Sequence, residues 1–403
     1  MTAPVDALAT IADSAVRKCR RSGTQAARGN NLPGILHGLL GVLVFPAAAV
    51  GASSQEVTVL TEDLCASCSI EITADVVLGT DGESVIGLAL DIERLPDGRF
   101  AMAFDDVMYE FTVFSPDGSE YRRVGRAGEG PGEYGHVWFI REHGDRLHVF
   151  DRRRRRMTVL DHDYEVVGTM PVECVRCDGR DMAILPDGSA AINFFEPQGG
   201  WERRDNANAW LVVHILGDDG RPRVSIPGVP AGSHGSLIRH LDIASDGSLA
   251  VAESMRYRIE RRDPGTGELL ETFVRDADWW PDENPVHAPR PDLPPVTAMN
   301  WMHVDEAGRL WLYIERPTAD WRDHVENTGL PEHMGSWRYG RAATEWVVEV
   351  VDMEAGKVIV SQVVDVEPAP RAQFFAPGWL AVHDDEDIVP RYRMYRLRLT
   401  GLE

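Results

Sequence analysis

Two Cys-x-x-Cys pairs, Cys65/Cys68 and Cys174/Cys177, are the residues of this chain best suited by type and spacing to do chemistry. Such pairs can hold a tetrahedral zinc, run thiol–disulfide exchange, or close as two local disulfides. A shared zinc requires all four sulfurs at about 2.3 Å from the metal, so the two pairs would have to meet in space. In an oxidising compartment each pair closes on itself. We expect two local disulfides, with redox-active thiols and a shared metal as the alternatives.

Other strings carry less chemistry. No Gly-x-Ser-x-Gly elbow, His-Glu-x-x-His helix or Walker string occurs, and the histidines are scattered. Gly125-Arg-Ala-Gly-Glu-Gly-Pro-Gly-Glu-Tyr134 is rich in glycine but lacks the Gly-Lys-Ser/Thr ending of a phosphate loop. Positive φ and close backbone packing account for its glycines. Arg152 to Arg156 is an unbroken arginine run that could bind nucleic acid or heparin. The formal charge of −23 argues for a solvated hairpin paired with acids such as Asp151, and against nucleic acid as a partner.

The elements that position these residues are strands. Six glycine turns, at Gly98, Gly144, Gly188, Gly247, Gly308 and Gly378, interrupt runs of period-two alternation. Their spacings of 46, 44, 59, 61 and 70 residues are those of propeller blades with insertions. A second turn follows each first one, as in Ser115-Pro-Asp-Gly118 and Pro264-Gly-Thr-Gly267, so each blade is a four-stranded antiparallel meander. The last blade lacks its outer strand before the chain ends. Ile70 to Leu78 supplies it and leaves no exposed edge. The expected fold is an all-β, six-bladed β-propeller spanning residues 69–403.

The Gly125–Tyr134 string, the Cys-x-x-Cys ahead of the closing strand and the Asp151-Arg-Arg string together resemble a family of bacterial exported six-bladed β-propellers, distantly similar to NHL-repeat and TolB-like proteins. The resemblance extends over most of residues 65–403. It implies the fold and export, and it brings no assigned activity.

Residues 1–52 read as a leader. Arg17, Lys18, Arg20, Arg21 and Arg28 precede an apolar stretch from Ile35 to Val50 that ends in Val50-Gly-Ala52, the order of a secretory signal. The stretch is shorter than the roughly 20 residues a comfortable bilayer span needs. The expected location is extracytoplasmic, with no stable membrane span in the mature chain, and the alternative is a retained anchor. Residues 53–68 form an extension that carries the first cysteine pair.

Alternating strand direction places the short turns on one face of the disc, and the b–c and d–a loops on the other. All the extra length falls on that second face, where Trp201, Trp279, Trp280, Trp321, Trp337 and Tyr339 form an expected aromatic rim for a ligand. The acid run His383-Asp-Asp-Glu-Asp387 joins it. Aligned on the turn glycines, His136, Arg180, Arg239 and Asn300, with Arg371 near them, occupy equivalent positions early in the innermost strands. They form an expected binding ring at the channel mouth, suited to an anion because Arg is a two-pronged donor. The expected function is a non-enzymatic binding module for a peptide, protein or glycan, monomeric and without a cofactor. The alternative is a propeller hydrolase or lyase with a polar site or a calcium ion at the channel mouth, to which Asp91 and Asn300 would contribute.

Overall fold

The computed structural model describes residues 56–402, apart from 86, 175–176, 178, 198–209, 229–236, 282–286, 332–334, 365–371 and 385–389. The leader and the candidate residues Trp201 and Arg371 lie outside the described residues. Six antiparallel sheets follow one another along the chain. The innermost strands are Ala89–Arg94, Val137–His143, Asp181–Ile184, Arg239–Ile243, Ala298–Val304 and Ala372–Ala376. Each lies against the innermost strand of the next blade, and that of blade six against that of blade one, so the sheets close into a six-bladed propeller. Among the described residues no helix is long and apolar enough to cross a membrane.

The core is divided among the gaps between blades, because each sheet is covered on both faces. Phe100–Phe104, the second strand of blade one, reads Phe-Ala-Met-Ala-Phe and is buried throughout. Its Phe100, Met102 and Phe104 pack toward blade six, and Ala101 and Ala103 toward blade two. At the rim of the same blade, Tyr121–Ala127 buries only Val124. The apolar payload of a strand thus falls with distance from the axis.

The glycine turns have the chemistry expected of them. Gly98, Gly188, Gly247, Gly308 and Gly378 adopt φ between +71° and +89°, a region L side chains avoid. Asp97, Asp187 and Asp246 each accept the backbone N–H two residues on, at 3.0–3.1 Å.

Ring closure occurs where the sequence places it. Ser69–Leu78 pairs antiparallel with Arg391–Thr400, from Tyr392↔Leu78 to Thr400↔Ser69. Ahead of it the chain follows the rim of the disc. Glu56–Val59 adds in parallel to the outer strand Leu269–Val274 of blade four, and Thr61–Glu62 to Lys357–Val364 of blade five. Glu62 then reaches Arg275, which also pairs with the fully buried Glu349, and Tyr257 Oη donates to Glu349 at 2.6 Å. One segment therefore binds blades four and five before it completes blade six.

Both cysteine pairs are disulfides, with Cα–Cα separations of 5.1 Å for Cys65–Cys68 and 5.6 Å for Cys174–Cys177. Cys68 packs against the cluster between blades five and six, whereas Cys174 and Cys177 are buried between blades two and three. These separate surroundings exclude a shared metal.

Ile70, at the start of the closing strand, is 3% exposed. Ile70→Ala should lower stability by about 2–4 kcal/mol in urea unfolding. A loss below about 1 kcal/mol would show that the closing strand is not part of the cooperative core.

Candidate functional site

Innermost strands present one unpaired edge to the axis, and buried amides there must find acceptors. Carboxylates of the preceding blade supply them. Asp91 accepts from Ile140 N at 2.7 Å, Glu93 from Glu142 N at 2.9 Å, Asp181 from Leu241 N at 2.9 Å and Asp242 from Val304 N at 2.7 Å. Arg141 ties three blades together, with Nη1 at 2.6 Å from Asp91 and Nη2 at 2.9 Å from Asp181. The histidines join this belt as satisfied core groups. His240 Nε2 lies 2.9 Å from Met299 O, and His303 Nδ1 lies 3.7 Å from Asp242. Burial pushes Glu93 up to about 8, against the pull of Arg141. Asp91, expected to be available to a calcium ion, is committed to Arg141 and to the Ile140 amide. Among the described residues no three His, Cys, Asp or Glu side chains are grouped to hold a metal.

The glycine string and the arginine run prove to be one structural unit. Glu133 Oε2 accepts from the amides of Glu129 and Gly130 at 3.0 and 2.8 Å, which occupies the N–H groups a phosphate would need. Arg156 donates to the carbonyls of Glu129, Gly130 and Glu133, and Arg154 pairs with Glu129 at 2.7 Å. Gly125, at φ +105°, lies flat on Tyr134, whose ring carbons would be 2.7 Å from a Cβ. The run is thus a clamp between blades one and two.

Three of the four described members of the expected channel ring, His136, Arg239 and Asn300, are held by their own blade. His136 is half-buried, its amide donates to Asp151 at 3.0 Å, and its ring stands edge-on to Trp138 at 5.1 Å. Burial and the nearby Arg152 hold its pKa below the usual histidine value. Arg180 is exposed ahead of blade three. Arg239 is 3% exposed, with Nη2 at 3.7 Å from Glu253, as a buried guanidinium requires a carboxylate. Asn300 donates Nδ2 to Glu315 at 3.1 Å.

The aromatic residues hold the loop face together. Trp279 is flanked by the guanidinium groups of Arg275 and Arg316, at 5.6 and 5.0 Å from its ring centroid. Trp280 stands edge-on to Tyr257 at 5.6 Å. The blade-five insertion forms its own hairpin, Val325–Asn327 with Trp337–Tyr339. Trp321 was expected on an exposed rim and is instead buried at its base, edge-on to Tyr339 at 6.3 Å. Tyr339 Oη accepts from Arg290 N at 3.2 Å and donates to Leu293 O at 2.9 Å. The insertion and the long connection from blade four to blade five are therefore joined on one face. Trp337 is half-buried within the hairpin. In blade six His383 is buried and Asp384 pairs with Arg393 at 2.8 Å, while residues 385–387 lie outside the described residues.

Sequence reasoning missed the residues at the root of this platform. Arg316 Nε donates to Glu345 at 2.7 Å, and Thr344 Oγ1 donates to Glu315 at 2.8 Å. Trp301 and Trp346 lie 5.7 Å apart, with Trp346 directly across the strands from Glu315. The channel belt did leave a signal. Asp91-Ile92, Asp181-Met182 and Asp242-Ile243 each put an acid before an apolar residue in an innermost strand.

No protein-family model matches this chain, and no curated protein does. Solved structures do. A protein of Bacteroides fragilis described as exported superposes with a TM-score of 0.53 at 10% identity, covering 86% of this chain and 100% of its own. A member of the DUF4221 family from Bacteroides vulgatus superposes with a TM-score of 0.55 at 10% identity, covering 83% of this chain and 99% of its own. The likeness is one of fold. It does not extend to the resemblance to NHL-repeat and TolB-like proteins expected from the sequence strings.

Two predictions follow from this geometry. Glu93 holds its proton in the folded protein up to about pH 8, whereas in the unfolded chain it ionises near 4.5. Its contribution to stability is complete below the lower value and is lost as pH rises through the upper one. Glu93→Gln should flatten the decline in urea midpoint between about pH 5 and pH 8, and an unchanged slope would refute the assignment. Tyr339→Phe removes the tie to Leu293 at a cost of about 1 kcal/mol. Hydrogen exchange should quicken in residues 325–339 while the global unfolding midpoint holds, and equal protection in both proteins would contradict the role given to this hydroxyl.

Proposed function

We propose that this chain is an exported, non-enzymatic binding module that recognises a peptide, protein or glycan through the b–c and d–a loop face of the propeller. The observation that carries this reading is the bonding of Tyr339 to Arg290 and Leu293, which joins two long elaborations into one ordered platform. Long connections that are built rather than loose are typical carriers of recognition. Export is supported by the basic and apolar order of residues 17–52, by two local disulfides, and by the exported description of a protein with the same fold.

Thr318 and Ala343 already meet across the base of the insertion, with Thr318 N donating to Ala343 O at 3.0 Å. Residues 320–341 can therefore be replaced by a short Gly-Ser turn without disturbing the strands. The mature chain, from residue 53, is screened against peptide libraries, glycan arrays and envelope proteins of the source cell. A ligand should emerge whose affinity falls at least about tenfold on excision, the equivalent of 1.4 kcal/mol. Binding that survives excision intact would place recognition elsewhere.

A further inference from the structure

Blade five carries an irregularity where its insertion begins. The Ala298–Val304 strand pairs Met299 with Ile314 and then Trp301 with Tyr313, so Asn300 is an extra residue in the ladder. Such a bulge re-aims side chains and is common beside binding sites. Here it brings Asn300 to Glu315 on the flank toward blade six, where Trp301 also packs. Thr344 Oγ1 closes on the other oxygen of Glu315. Trp301 and Trp346 stand beside this group with their rings inclined at 41°, each backed by Phe374 at 5.9 and 5.8 Å. All five side chains remain partly open, whereas Tyr313 and Val348 below them are buried.

We propose that Asn300, Trp301, Glu315, Thr344 and Trp346 form a saccharide-binding cleft. A pyranose presents a C–H face and a rim of hydroxyls, each both donor and acceptor. Two indole rings with rigid backing offer flat apolar surface at low entropic cost. A carboxylate with an amide and a hydroxyl each within hydrogen-bonding distance of it offers acceptors and donors to neighbouring hydroxyls. That mixture of apolar wall and few convergent polar groups is the usual make-up of a small-ligand site. A peptide added as a strand would need an open sheet edge. Thr344–Asp352, which carries two of the five residues, is paired on both sides. The cleft lies at the root of the insertion, so this inference rests on the loop-face reading above and names its ligand class.

The test uses the mature chain on an array of neutral and acidic oligosaccharides, with the retained ones titrated by calorimetry and tryptophan fluorescence. At least one should bind and perturb the indole emission. Trp346→Ala and Asn300→Ala should each weaken it about tenfold or more, while Tyr121→Ala, an exposed aromatic at the rim of blade one, leaves it unchanged. Thermal melts identify any variant that fails to fold, and Thr344→Val, which removes one hydroxyl, then serves in its place. An array with no retained saccharide overturns the proposal, as does binding indifferent to Asn300, Thr344 and Trp346. If saccharides fail but a peptide binds and is lost on excising 320–341, the loop-face reading stands and the saccharide cleft falls.

Discussion

Unpaired strand edges are the constraint on which this molecule depends. Every blade is an open sheet with an inner edge at the axis and an outer edge at the rim, and the ring itself has two loose ends. Buried amides without acceptors are costly. The inner edges of blades two, four and five are answered by Asp91, Glu93, Asp181 and Asp242, each reaching an amide of the following blade. The loose ends are answered by Ser69–Leu78 on Arg391–Thr400. The rims of blades four and five are extended by the segment that leads into that closing strand.

Because these carboxyl groups serve the backbone, the axis is a structural belt. Arg141 joins it to three blades, and His240 and His303 have partners within it. Removing an acid there would leave an amide of the neighbouring blade unpaired, so its cost would pass from one blade to the next. The loops of the upper face are free to lengthen because the strands below are already satisfied, and blades four and five have used that freedom.

The platform on those blades is held by paired charges and rings above the apolar cluster between blades four and five, against which Trp279 and Trp280 pack. Trp279 between Arg275 and Arg316, Trp321 beneath Tyr339, and Glu345 on Arg316 each fix a long side chain at the base of a loop. Such contacts leave aromatic surface partly open beside ordered polar groups, as at Trp301 and Trp346. This is the composition from which recognition surfaces are made.

Turn chemistry and period-two alternation are local, so residue order alone sufficed for the six blades, the strand borrowed for closure, the common face of the blade-four and blade-five elaborations and the two separate disulfides. It also sufficed for reading Arg152–Arg156 as a hairpin in want of acids, although the acids named nearby did not include Glu129. It could not tell that Trp321 would be buried, because that depends on the insertion folding back onto its own root. Nor could it align Asn300 with its neighbours, because a bulge adds a residue to the ladder and turns the side chains after it. Partnerships across blades, Asp91 with Arg141 or Glu315 with Asn300 and Thr344, arise only when the ring closes. Their members are brought together by geometry that no short stretch of chain encodes.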